Sequence, residues 1–403
     1  MELNRNGGVI MARGIRAIIL NTDEDYAVEL RSKLLTIEGM KIVAEIDEPV
    51  LFDAAIKQFS AELVVVNLDP DPESSIQTAS QIIEHYPDLT LFAISESDNP
   101  QLILQAMRSG FREFLLRPFD QDQLVQAVSR ISKNTAGQSP TGKLICVVGA
   151  VGGIGTTTLA TNLGCELANL GEKSAVIVDL DICFGHVATF LDLSPQFNLA
   201  DLCLTLDSID PAMIEKALLK HDCGVSVLSR PNHFVQAQQI SAANLATVIN
   251  ALCGMFSYVI CDGPTRNDAV KPSVLDLADT TLFTTNLTVP AIRNIDRVFQ
   301  EMIREGYNLD RNQLVLSRYS NDNNSLSIED VEQSLNRKIA FTIPEEPKVV
   351  SAAVNTGQPL LECAPKSKTR EAIRNIALKL HDPNHEIEST KGSGGIFAKM
   401  LGR

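Results

Sequence analysis

The residues best suited to chemistry lie in one glycine- and threonine-rich loop and at the ends of two apolar segments. The loop reads Gly149-Ala150-Val151-Gly152-Gly153-Ile154-Gly155-Thr156-Thr157-Thr158. It follows Lys143–Val148 (KLICVV), which predicts a buried strand, and precedes a helix expected from about Thr157 to Leu170. Glycines let backbone N–H groups turn inward, and a helix N-terminus adds partial positive charge, so strand, loop and helix make an anion cradle. Gly152, Gly153, Ile154, Gly155, Thr156, Thr157 and Thr158 are the candidate phosphate-binding residues, and Thr157 stands where a hydroxyl would hold Mg²⁺. Asp179 and Asp181 end a second expected strand, Ser174–Leu180. Asp262-Gly263-Pro264 follows a third, Tyr258–Cys261. A carboxylate so placed can hold the water shell of Mg²⁺.

The loop alone leaves three readings open. The P-loop pattern G-x-x-x-x-G-K-[ST] fails strictly, because Ala150 falls at the first glycine and Thr156 at the lysine. A dinucleotide-binding turn also fits the glycines, with acids after the next strand. A tight strand–helix turn without a ligand is the third. The acids decide for the phosphate cradle. Either acidic site alone would pass for a solvated strand end, but loop, Asp179/Asp181 and Asp262 occur together in the order a Mg²⁺-nucleotide site needs.

These residues must be positioned by more than one domain. The chain has 403 residues, enough for two or three domains. Lys133–Gly142 (KNTAGQSPTG) is the clearest linker. The expected division is residues 13–133, a linker at 134–142, a second domain at 143–382 and a tail at 383–403. The first block alternates strands and helices: Ile15–Leu20, a helix at Tyr26–Thr36, Leu63–Leu68, Leu91–Ile94, a helix at Gln101–Ser109, Glu113–Leu116 and a closing helix at Gln121–Ser132. Such alternation implies an α/β fold with a parallel sheet covered on both faces.

Charge and composition narrow the function. Thirty-five basic against 50 acidic side chains leave −15, which argues against a protein that coats phosphate backbones, and no direct nucleic-acid partner is expected. No tryptophan and 5% aromatics argue against base-stacking platforms. No apolar run approaches the ~18–20 residues that span a bilayer, and the N-terminus lacks a signal peptide's pattern, so a cytoplasmic location is expected. The eight cysteines include no C-x-x-C pair. They read as reduced, mostly buried thiols without zinc-ligand spacing. His186, His221 and His233 stand in no motif.

The first block resembles the flavodoxin-like receiver domain of bacterial response regulators. The resemblance rests on Asp23-Glu24-Asp25, the central strand Val64–Leu68, Ser95 and Arg117-Pro118-Phe119. It implies a phosphoacceptor Asp at the end of the third strand, where this chain has Asn67, a degenerate phosphoacceptor. An amide cannot act as the carboxylate nucleophile that forms an acyl phosphate. Arg117 replaces the partner lysine, and Asn21 or Thr22 replaces one of the metal-binding acids. Asp69 reads as a loop residue before Pro70 rather than a substitute acceptor. The expected role is docking or dimerisation.

From about Lys143 to Leu380 the chain resembles the deviant Walker ATPases of the MinD/ParA group, whose fold is a P-loop NTPase with a mainly parallel sheet. Ala278–Val298 (ADTTLFTTNLTVPAIRNIDRV) looks like the group's strand and loop after switch II. Leu314–Tyr319 (LVLSRY) and Phe341–Glu345 (FTIPE) look like its base-contacting strand and the loop that follows, which adds Ser317, Arg318 and Pro344 as nucleotide-binding residues. The match is closest to the CpaE/TadZ pilus-assembly branch, through Ser325–Arg374 and through the pairing with a receiver-like domain. That resemblance implies ATP and Mg²⁺ as cofactors and a homodimer. It also implies a secretion ATPase and inner-membrane assembly components of a tad/Flp-type pilus as partners. Thr157, Asp179 and Asp262 would surround the metal, and Asp181 would position the attacking water. Thr156 stands at the P-loop lysine, Val151 at the signature lysine that reaches across a dimer, and Ser317 at the adenine-contacting Asn. Cations at such places are worth ~10³–10⁵ in rate. Their loss implies weak or absent hydrolysis with binding retained. An active positioning ATPase would need those lysines, a response-regulator-like signalling protein would need an Asp at 67, and an NAD-dependent enzyme would need an acid/base His in a motif.

The last thirteen residues carry three basic and no acidic side chains. On a helical wheel Ile396, Phe397, Met400 and Leu401 share one stripe, with Lys399 and Arg403 beside it. Such a short basic amphipathic helix can lie on an anionic membrane surface, and it resembles the C-terminal targeting helix of MinD. A peripheral position at the inner membrane or a cell pole follows from this reading, with docking on a partner protein and a disordered end as the other readings of the same segment. Residues 1–135 hold 12 basic and 21 acidic side chains, so the acidity lies mainly in the first block.

Overall fold

The computed structural model describes residues 15–385, apart from Glu38, 53–54, 57–58, Ser60, 87–88, 135–141, 171–173, 205–210, 264–273, Asp276, 305–308 and 321–325. The tail residues Ile396, Phe397, Lys399, Met400, Leu401 and Arg403 lie outside the described residues.

The first sheet is five-stranded, in the order β2-β1-β3-β4-β5, with every pairing parallel. Its strands are β1 (Ile15–Leu20), β2 (Met40–Ile46), β3 (Leu63–Asn67), β4 (Thr90–Ser95) and β5 (Glu113–Leu116). The longer helices between them are α1 (Glu24–Leu35), α2 (Pro72–His85), α3 (Pro100–Arg108) and α4 (Gln121–Asn134). LVVVN in β3 is buried along its whole length, as a central parallel strand covered on both faces must be. α2 starts where Asp71 accepts a hydrogen bond from the Ser74 amide and Pro72 supplies a preset φ. The sequence reading did not anticipate β2 and α2. Charged Lys41 and Glu45 interrupt the apolar pattern of β2, and Lys41 is nonetheless buried.

The second sheet is eight-stranded, in the order β13-β12-β11-β6-β10-β7-β9-β8. All pairs are parallel except β8 with β9. Its strands are β6 (Lys143–Gly149), β7 (Ala175–Asp179), β8 (Leu219–Lys220), β9 (Val225–Leu228), β10 (Tyr258–Asp262), β11 (Thr280–Thr285), β12 (Asn312–Tyr319) and β13 (Ile339–Pro344). The longer helices are α5 (Thr156–Ala168), α6 (Ala242–Met255), α7 (Val289–Arg304), α8 (Ile328–Leu335), α9 (Pro347–Thr356) and α10 (Lys368–His381). β6, β7 and β10 are near-continuous apolar runs, and their C-terminal ends lie side by side. Two expectations change here. Phe341–Pro344 is strand rather than loop, and the segment after β11 becomes α7 from Val289 onward.

The two domains touch. Lys41 Nζ donates to Asp279 Oδ2 at 2.9 Å, and that oxygen also accepts the Leu144 amide at 2.8 Å. Arg311 donates to the carbonyls of Ile37 and Met40 from the other domain. The charge on Lys41, which argues for an exposed position, is therefore satisfied across the domain contact.

Candidate functional site

Parallel pairing builds the centre of the site. β6 ends at Gly149 and releases the loop, while its neighbour β10 ends at Asp262. β10 pairs with β7 in a register that sets Asp262 opposite Asp179. Two carboxylates 83 residues apart in sequence thus face one another beside the start of α5.

The loop turns into α5 at Gly155, whose φ of +100° is the left-handed conformation that glycine adopts without strain. A Cβ there would also come within 3.2 Å of Ser317 Oγ. Thr156 is buried at the foot of the helix, its hydroxyl 3.2 Å from Thr284 Oγ1, which donates to the Val148 carbonyl. The side chain at the lysine position therefore braces the loop against β11 and brings no positive charge. Asn294 Nδ2 on α7 holds the Ala150 carbonyl at 3.0 Å. Gly152 and Gly153 are exposed, Thr157 and Thr158 half-buried, and Ile154 points into the core at 2% exposure. Ile154 can meet a ligand only through its backbone.

Asp179 and Asp262 are both 1% exposed. Asp179 Oδ2 accepts the Val187 amide at 3.1 Å, while its Oδ1 and Asp262 Oδ2 have no hydrogen-bond partner among the described residues. Burial drives both carboxyl groups toward the neutral form; the negative charge of Asp262 adds to this at Asp179, and that of Asp181 adds to it at both. Asp262 is pushed up to about 7, with the Thr157 hydroxyl pulling the other way. Gly185 covers Asp179 so closely that an added Cβ would lie 1.9 Å from Oδ1. Two orphaned carboxylate oxygens facing a threonine hydroxyl at a helix start are an oxygen-ligand set suited to Mg²⁺. The residues Thr157, Asp179 and Asp262 fit the metal role expected of them. Asp181 stands outside this buried pair, half-exposed, and accepts the Phe184 amide at 3.0 Å. Its carboxylate is free to reach solvent, as a water-positioning group must be.

A cavity of about 220 Å³ opens beside the loop. Gly153, Gly155 and Thr158 line one wall, Ser317 and Arg318 a second, and Pro344 a third. The structure thus brings all three residues named from the strand resemblance to the same cavity as the phosphate cradle. Arg318, at a φ of +55°, donates from Nη1 to the Gly153 carbonyl at 3.0 Å and from Nη2 to Glu345 Oε1 at 2.9 Å. The sequence reading missed Glu345, Glu346, Val350, Thr369 and Ile373 as lining residues. It also missed the exposed pair Phe184 and Phe234, whose rings pack 5.8 Å apart beside Asp181. A solvent-exposed aromatic pair next to a charged site was the available signal, but the two residues lie 50 positions apart.

The receiver-like site is closed on itself. Asn67 is buried and donates from Nδ2 to Asn21 Oδ1 at 2.8 Å. Asp69 does more than occupy the loop. Its carboxylate accepts from Ser95 Oγ at 3.0 Å, the Glu96 amide at 2.8 Å and Arg117 Nη2 at 2.9 Å. The Arg117 guanidinium also lies 3.9 Å from the Tyr26 ring centroid. Neutral amides and an ion pair fill the space where an acyl phosphate would form.

Two family models match separate parts of the chain. The model of the response regulator receiver domain matches residues 18–129, and that of an AAA domain matches residues 142–314. The septum site-determining protein MinD of Thermotoga maritima is 25% identical over 253 residues, covering 62% of this chain and 91% of that protein. Among solved structures, a ParA family ATPase from Chlorobium tepidum superposes with a TM-score of 0.56 at 22% identity, covering 59% of this chain and 98% of that one. MinD from Pyrococcus horikoshii, solved with Mg-ADP, gives 0.52 at 21% identity, covering 61% and 100%. The structural likenesses are likenesses of fold. No helix among the described residues is long and apolar enough to cross a membrane. The fold is therefore that of an N-terminal receiver domain followed by a P-loop NTPase domain of the MinD/ParA type, both α/β folds on mostly parallel sheets.

Proposed function

We propose that this protein is an ATP-binding, dimeric positioning and assembly factor with weak or absent hydrolysis, acting in a tad/Flp-type pilus secretion system. One observation carries the mechanistic part. The proposed Mg²⁺ ligands Thr157, Asp179 and Asp262 gather beside the glycine loop, while the two lysine positions hold Val151 and a buried Thr156 that bonds to Thr284. Binding uses the cradle, but rapid phosphoryl transfer needs the missing cations. The Mg-ADP held by the Pyrococcus relative supports Mg²⁺ and an adenine nucleotide as the ligands. The pairing of a receiver domain lacking its acceptor with this type of NTPase domain supports the pilus reading. Septum placement by relatives supports a role in positioning. The partners would be a second copy of this chain, a secretion ATPase and inner-membrane assembly components.

Calorimetry with ATP and ADP, each with Mg²⁺, tests the binding step; one site per chain is expected, and no heat from either nucleotide would reduce the domain to a structural remnant. Turnover by the pure protein should stay near background in both the parent and Asp181→Ala. Robust hydrolysis that Asp181→Ala abolishes would refute the weak-hydrolysis reading.

The basic end at 391–403 would meet an anionic membrane surface, with dimerisation supplying the avidity that two helical turns lack. Co-sedimentation with anionic liposomes should be lost on deletion of those residues. Equal pelleting of both forms contradicts membrane contact.

A further inference from the structure

A second cluster of ligating side chains lies apart from the nucleotide site, at the β8 edge of the large sheet. The β8–β9 hairpin turns at Gly224, with φ of +92°, and carries His221 and Cys223 in the turn. Opposite them stand Glu362, in the short helix Leu360–Cys363, and Cys165 on α5. One donor atom each from His221, Cys223 and Glu362 lies within 4.8 Å of the others. Cys165 is wholly buried and is not one of these three.

We propose that His221, Cys223 and Glu362 form a three-ligand site for a thiophilic divalent cation, zinc being the best match, with water at the fourth position. An imidazole, a thiolate and a carboxylate are ligand types zinc takes in tetrahedral sites. Around zinc at 2.0–2.3 Å, ligand atoms stand roughly 3.3–3.8 Å apart, so closing the site needs about 1 Å of contraction. The half-exposed His221 and Cys223 and the exposed Glu362 have the freedom to supply it. Loading releases the Cys223 thiol proton to solvent. It also exchanges one hydrogen bond, because the Cys223 amide now donates to His221 Nδ1 at 3.1 Å and the ring's lone pair would go to the metal. Nothing in the nucleotide site uses these groups. The gain is mechanical. β8 has only two residues and is the edge of the sheet, and the metal would staple its hairpin to the short helix Leu360–Cys363. Sequence spacing did not reveal the site because Cys223 and Glu362 are 139 residues apart.

The test is a Co²⁺ titration of the full chain, metal-stripped and kept reduced. One equivalent should bind with a thiolate-to-cobalt charge-transfer band and the visible bands of tetrahedral Co²⁺, and Zn²⁺ should displace it. Cys223→Ser and His221→Gln should each weaken binding at least about tenfold, and Cys223→Ser should lose the charge-transfer band. Asp262→Asn should keep the band, because the nucleotide site offers only oxygen ligands. Zn²⁺ should also raise the Tm of the parent but not of either variant. Should Cys223→Ser fail to fold, His221→Gln, at a half-exposed position, carries the comparison. Co²⁺ uptake without the charge-transfer band, or uptake unchanged in His221→Gln, overturns the proposal.

Discussion

Nucleotide-free protein is expected to lose stability as the pH rises from about 4 to about 7, and Asp262→Asn should remove part of that loss. Asp262 and Asp179 face each other in a buried register pair, with one oxygen of each unpartnered. Their carboxyl groups are raised above the ordinary value, Asp262 to about 7. In the unfolded chain both titrate near 3.9. Below that value both states hold the proton, and the stabilising contribution of the neutral pair is complete. As the pH rises, the unfolded chain releases its protons first, so unfolding gains ground until the folded carboxyl groups also ionise. A shift of about 3 pH units on one group corresponds to about 4 kcal/mol. The Tm difference between Asp262→Asn and the parent should therefore grow with pH. Mg²⁺ with nucleotide should stabilise the parent at pH 8 and leave Asp262→Asn unmoved. Parallel Tm curves for the two proteins across this range would sink the idea. A difference that grows with pH marks a site where folding stability is given up so that a cation can be bound.

Arg370→Ala should be the most destabilising single substitution in the NTPase domain outside its apolar core. Glu166 on α5 is 2% exposed, and Arg370 on α10 holds it from both sides, Nε to Oε1 at 2.6 Å and Nη2 to Oε2 at 3.2 Å. Removing the guanidinium leaves a buried carboxylate without a partner, at a cost of about 3–5 kcal/mol. For a domain of this size that lowers the Tm by roughly 6–20 °C. The double substitution Arg370→Met with Glu166→Leu removes both charges and should recover most of the loss, because a buried ion pair is worth little more than good apolar packing. Thermal unfolding of the three proteins decides it. If Arg370→Ala melts within a degree or two of the parent, the pair is solvated and the argument fails.

Much of the chemistry was legible as residue types. The strand–loop–helix from Lys143 to Ala168 reads locally, because an apolar run, a glycine cluster and the following helix each leave a short-range signal. Asp179 and Asp262 were legible as strand-end acids, and Asn67 as an amide that cannot be phosphorylated. Other parts were not. Lys41 looks like a surface residue by pattern, yet it is buried because Asp279 of the other domain meets it. Asp69 read as a plain loop residue, and only packing brings it to Ser95, Glu96 and Arg117. The far wall of the cavity comes from Glu345 to Ile373, inside a segment recognised by resemblance but with no single residue marked as lining.

The sequence by itself determined the strand–loop–helix of the site, most strands of the first domain, the two-domain division, the missing cations at Val151 and Thr156, and the missing carboxylate at Asn67. These depend on residue identity and on periodicities of two or 3.6 residues, which are local. The tertiary structure alone decided that Asp179 stands opposite Asp262, that Arg318 bridges the loop and Glu345, and that Glu362 meets His221 and Cys223. Those outcomes depend on strand register and on which distant segments pack together. Register is set by burial of whole strands across the sheet, and no short window of sequence contains that information.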